Sequence, residues 1–96
     1  MDDPRLRRGL LLLALREQYP APYVIAALRR AVDLVYALAP TEFLADVVYL
    51  EGKSLVVRKR ALIRGAKCEV VTLTPAGVDI VEGSTTDPGV HIEQAG

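Results

Sequence analysis

The sequence predicts an α+β fold, mainly α. A three-helix core carries a β-hairpin wing and a short C-terminal helix, which together make a winged helix-turn-helix. Three observations predict it. The stretch from Ala39 to Gly83 reads as helix, long two-stranded hairpin and short helix. Ahead of it, two stretches repeat apolar residues at helical spacing on either side of a proline-rich break. The chain has 96 residues, 51 % of them hydrophobic, which suits one domain with one core.

The first helix starts at Asp2-Asp3-Pro4, a capping acid followed by proline at an early position. It runs to about Gln18 and stops before Pro20. Leu6, Leu10, Leu13 and Ala14 share one face; Leu11 and Leu15 fall roughly opposite, with Leu12 close to them. A small core covers one side of such a helix. Leu11, Leu12 and Leu15 are therefore candidates for a homodimer interface, because clustered exposed apolar residues mark contacts. The other reading is that this fold wraps the helix more fully.

Tyr19-Pro20-Ala21-Pro22 is a stiff connection that forbids a continuous helix. A second helix spans roughly Tyr23 to Val35, with Val24, Leu28, Ala31 and Val35 as its stripe and Ala27 and Leu34 beside it. Tyr36 to Ala39 then forms the turn between helices. The third helix opens at Pro40, carries Glu42 in its first turn, and repeats Phe43, Val47 and Leu50 on its inner face. Gly52 and Lys53 end it. Leu55, Val56 and Val57 switch to strand-type residues, Gly65-Ala66-Lys67 signals a turn, and Val70 to Leu73 returns. Thr74-Pro75 starts the last helix, with Ile80 and Val81 as its apolar residues. Residues 1–83 form the domain. Residues 84–96 form a polar tail, whose Val90 and Ile92 can lie back on the body or on a partner.

Tyr49 to Val56, YLEGKSLV, looks like the end of a recognition helix running into a wing. Leu73 to Gly83, LTPAGVDIVEG, looks like the closing strand and last helix of the same fold. Over nearly its full length the chain resembles small winged-helix proteins of Mu-like bacteriophages and prophages, often labelled regulator-like. The Pro88-Gly89-Val90 tail matches that group. The resemblance implies a helix-turn-helix type of domain and no particular target.

Twelve basic residues balance twelve acidic ones, so the whole chain has no polyanion-binding signature. The distribution is more telling. The outward face of the third helix carries Thr41, Glu42, Ala45, Val48 and Tyr49, with Asp46 at its margin. It lacks Arg, Lys, Asn and Gln, the side chains that read guanine and adenine edges. Between Leu55 and Thr74, in contrast, Arg58, Lys59, Arg60, Arg64 and Lys67 face Glu69 alone. A basic hairpin can hold phosphates or enter the minor groove; equally, such charges can guard an edge strand from pairing with other chains. The candidate contacts to duplex DNA are these five cations with Thr41 and Tyr49. The alternative is a protein-interaction module that uses the third helix and the surplus leucines.

No catalytic motif and no metal set are present, and no cofactor or small-molecule ligand is implied. His91 stands alone in the tail, and Cys68 beside Lys67 reads as a structural thiol. One cysteine excludes an internal disulfide and suits a reducing compartment. Leu10 to Leu15 is too short to span a bilayer and lacks a cleavage site behind it, so the expected setting is the cytoplasm of a bacterial host cell.

Overall fold

The computed structural model describes residues 3–93. Its elements are α1 (Pro4–Gln18), β1 (Tyr23–Val24), α2 (Ile25–Asp33), α3 (Pro40–Gly52), β2 (Val56–Ile63), β3 (Ala66–Leu73) and α4 (Pro75–Glu82). The strands form one antiparallel sheet in the order β1-β3-β2. This is the mainly helical winged-helix arrangement that the element order predicts.

Asp3 caps α1: its Oδ1 accepts from the Arg5 N–H at 2.9 Å, while Pro4 has no N–H to satisfy. Asp2, the other acid of the expected helix start, lies outside the described residues. The helix stops at Tyr19, whose peptide bond with Pro20 is cis.

The expected dimer leucines are core residues. Leu11 and Leu12 are fully buried and Leu15 is 2 % exposed. α1 packs against α2 and α3, and also against α4 and β3. The sheet and the last helix close over the side that a three-helix core leaves open. Leu11, Leu12 and Leu15 therefore meet Leu28, Val32, Phe43 and Val71 of their own chain, not a second copy.

The second helix is shorter than its apolar pattern suggests. Tyr23 and Val24 pair with Val71 and Val70 as a third strand, satisfying the inner half of β3. The helix then runs from Ile25 to Asp33 and buries Leu28 and Val32. Val35, expected on its inner stripe, and Leu34, expected beside that stripe, lie in the turn at 62 % and 89 % exposure. Asp33 shapes that turn by accepting from the Leu38 N–H at 3.2 Å, and Leu38 is the residue that goes inside.

α3 begins at Pro40 after Ala39, which has no side-chain oxygen to cap it. Glu42 reaches back instead, and its Oε1 accepts from the Ala39 N–H at 3.1 Å. Phe43, Val47 and Leu50 are buried as their spacing predicts.

The hairpin turns at Arg64-Gly65, one residue earlier than the glycine signal suggests. Both residues have positive φ, 51° and 80°, as a two-residue I′ turn requires. Ala66 and Lys67 thus belong to β3, and Lys67 stands opposite Leu62. Thr74 caps α4 through the Gly77 N–H at 3.1 Å and ties it to the hairpin base by donating to the Ser54 carbonyl at 2.7 Å.

Because Leu11 is sealed on all sides, Leu11→Ala is expected to lower unfolding free energy by about 2–5 kcal/mol. Leu11→Glu with Leu15→Glu is expected to leave an unfolded chain. Denaturant melts and circular dichroism check both; a folded, monomeric double variant would contradict the assignment of these leucines to the core.

Candidate nucleic-acid interface

The outer stripe of α3 consists of Thr41, Leu44, Ala45 and Val48, all exposed and none charged. Leu44 and Val48 are 47 % and 48 % exposed. Of the two acids expected on this face, Asp46 is turned inward, while Glu42 stays exposed beside Thr41. Asp46 is buried at 1 % exposure, and Glu42 is engaged by the Ala39 N–H and by Arg7.

Asp46 is held by two consecutive arginines of α1. Arg7 Nε donates to Oδ2 at 3.0 Å and Nη2 to Oδ1 at 3.4 Å; Arg8 Nε donates to Oδ1 at 3.2 Å. Arg7 is itself buried, and its Nη1 extends to Glu42 at 3.3 Å. A carboxylate removed from water needs opposite charge and hydrogen bonds on both oxygens, and here it has them. The cluster joins α1 to the flank of α3 and so helps set how α3 presents its outer stripe. In the sequence Asp46 looks like one more surface acid. Only the Arg7-Arg8 pair, set in an otherwise leucine-rich helix, hints at it.

Tyr49 is not open for stacking. Arg8 covers one side of its ring, with Cζ 4.0 Å from the centroid, and Lys53 Nζ lies 5.6 Å away. Its hydroxyl donates to Asp87 Oδ1 at 2.7 Å. Asp87 belongs to the tail, which folds back over α1 and α3. Lys53 pairs with its Oδ2 at 3.6 Å, the Gly89 N–H donates to its Oδ1 at 2.8 Å, and Arg8 Nη1 donates to the Gly89 carbonyl at 3.1 Å. The His91 N–H donates to the Arg5 carbonyl at 3.0 Å. Any side chain at Gly89 would collide with Tyr49, and any at Gly9 with the backbone of His91. Val90 and Ile92 join the edge of the core, as their apolar character in a polar tail suggests.

Burial acts to raise the Asp87 pKa. The hydrogen bonds from Tyr49 and Gly89 and the charge of Lys53 outweigh it, so the carboxyl lies below its ordinary value of 3.8. The same bond to Asp87, with burial, holds the Tyr49 hydroxyl above its usual 10.0.

The wing cations divide into two groups. Arg58 is taken: its guanidinium bridges Glu51 at 3.0 Å and Glu69 at 3.2 Å, which holds its pKa above the ordinary value. It braces the hairpin base against the end of α3. Lys59, Arg60, Arg64 and Lys67 are exposed, and among the described residues none of them has a carboxylate partner. β1 stops at its pairing with Val70, so from Glu69 outward the wing is a ribbon of two strands. Thr41 stands apart from these cations, on the outer stripe of α3.

Among the described residues no group of His, Cys, Asp and Glu is arranged to hold a metal, and no helix is long and apolar enough to cross a membrane. Cys68 is half-buried on β3 and His91 is exposed.

Solved structures with the same architecture support the fold. A candidate transcriptional regulator from Thermoplasma acidophilum aligns over 76 % of this chain and 72 % of its own, with 18 % identity and a TM-score of 0.56. The circadian clock associated protein Pex from Anabaena aligns over 80 % of this chain and 75 % of its own, with 10 % identity and a TM-score of 0.58. At these identities the likeness is one of fold. No protein-family model and no curated protein matches the chain.

Asp46→Ala leaves two arginines facing an empty site, so a loss of about 3–5 kcal/mol in denaturant unfolding is expected. A loss under 1 kcal/mol would show that the cluster does not hold α3. For Asp87 the depressed pKa means that its contribution is complete above the ordinary value of 3.8 and is lost as pH falls through the lower folded value. Protection of the Val90 and His91 amides, relative to their intrinsic exchange at each pH, should therefore fall only below about pH 4. Exchange that is already fast at neutral pH would contradict the docked tail.

Proposed function

We propose that this chain is a DNA-binding protein that contacts duplex DNA through its wing, with Lys59, Arg60, Arg64 and Lys67 on phosphates. The observation that carries this reading is the exposure of these four cations, unpaired, on a projecting two-stranded ribbon. Arg58 is left out because Glu51 and Glu69 already neutralise it. Tyr49 is left out because Arg8 and Asp87 occupy it. The uncharged stripe of α3 lacks bidentate base readers, so binding is expected to depend on phosphates more than on sequence. The shared fold with regulator-like proteins supports a regulatory or DNA-handling role. The resemblance to Mu-like phage and prophage proteins supports a place in the phage cycle, in the host cytoplasm.

A second reading is favoured by one observation. Leu34, Val35, Leu44 and Val48 are large, apolar and exposed on α3 and the turn before it. Such residues fit a protein contact. This surface, in place of the buried Leu11, Leu12 and Leu15, is the one on which a homodimer would form.

The test is binding to random duplex DNA at about 50 and 200 mM salt. Each phosphate contact contributes roughly −0.9 to the log–log slope, so changing Lys59, Arg60 and Arg64 together to Ala should remove roughly 3 from its magnitude. Equal, negligible binding by wild type and variant would sink the DNA reading and leave the protein-contact surface of α3.

A further inference from the structure

We propose that the wing tip is a wedge: Leu62 enters the minor groove at a base step and kinks the duplex, while the neighbouring cations hold the flanking phosphates. This rests on the reading of the wing as the DNA-contacting arm. Leu62 is 71 % exposed and Ile63 37 %, immediately before the Arg64-Gly65 turn. Phosphate binding alone gives no reason for two large aliphatic side chains there. Lys or Ser would serve a solvated turn better, and the uncovered Leu62 stands between Arg60 and Lys67 on one face of the ribbon.

The surroundings select the occupant. Lys67 is the cross-strand partner of Leu62 and Arg60 lies two residues along, so both share its face of the ribbon. Lys59 shares the face of Ile63, and Arg64 forms the turn. Residues 59–68 include no acid at all. The partner must therefore be anionic outside and apolar a few ångströms further in. A duplex has that make-up, with two rows of phosphate around stacked bases. Proteins that kink DNA from the minor groove combine Arg or Lys with an inserted aliphatic or aromatic side chain. The arm is also thin. Only two strands form it beyond Glu69, and Ala61, Gly65 and Ala66 add little width.

The experiment is energy transfer between dyes at the ends of a roughly 25-base-pair duplex with a central TA step, which kinks easily, against a stiff A-tract of the same length. Wild type is expected to bend the TA duplex by roughly 20–90° and to prefer it. Leu62→Ser should bind with an unchanged salt slope and leave the duplex straight; Leu62→Met should keep the bend. Leu62 is exposed enough for both variants to fold, and circular dichroism checks that they do. Salt-sensitive wild-type binding to a straight duplex, or bending by Leu62→Ser equal to wild type, overturns the wedge and leaves the wing reading intact. Absence of salt-sensitive binding overturns the wing reading and the wedge with it. Binding of wild type, lost in Leu62→Ser, to vesicles of phosphatidylserine and phosphatidylcholine with no DNA bending assigns the tip to an anionic membrane surface and overturns the proposal.

Discussion

The orientation of α3 depends on a carboxylate that water does not reach. Asp46 is buried, and two adjacent arginines of α1 neutralise it. A leucine there would pack at lower electrostatic cost, since buried ion pairs seldom outdo well-packed apolar groups in stability. The arginine fork, however, admits few geometries. It fixes one rotation of α3 and therefore one outer stripe. The tail continues the same construction: Arg8 spans Asp46, the Tyr49 ring and the Gly89 carbonyl. One side chain thus links the first helix, the third helix and the C-terminal segment.

That arrangement separates two surfaces. α3 turns its acids inward or sideways and shows an uncharged stripe. The hairpin concentrates free positive charge, except at its base, where Arg58 locks onto Glu51 and Glu69. A neutral total charge therefore hides a strongly polarised molecule. Long-range attraction toward a polyanion comes from local density of charge, which formal sums over the chain do not register.

Much of the fold was legible in the sequence because local signals agreed with it. Asp3-Pro4, Pro40 and Thr74-Pro75 mark three helix starts that the structure reproduces. The two-strand pattern either side of Gly65 gave the hairpin within one residue. The failures share a physical cause, which is that partners distant in the chain decide burial. Leu11 and Leu15 look surplus until β3 and α4 cover them. Tyr23 and Val24 look helical until β3 offers them a ladder, since strand pairing between segments some fifty residues apart leaves no trace in local periodicity. At the candidate interface, the cluster of basic residues was visible by counting. Which of them were already neutralised was not, because Arg58 meets Glu51 across an element boundary and Glu69 across the hairpin. Tyr49 was misjudged for the same reason: its cover, Asp87, lies in a stretch with no periodicity to announce a fixed position.

Among the described residues the outer edge of β2 has no neighbour, so alternate residues along it turn backbone N–H and C=O groups toward any passing strand. The exposed cations Lys59, Arg60, Arg64 and Lys67 oppose such pairing between two like-charged arms. Evolution of this arm is accordingly bounded from two directions. Bleaching its charge invites precipitation through stacked ribbons, and enriching it makes the molecule adhere indiscriminately to whatever acidic polymer the cell contains.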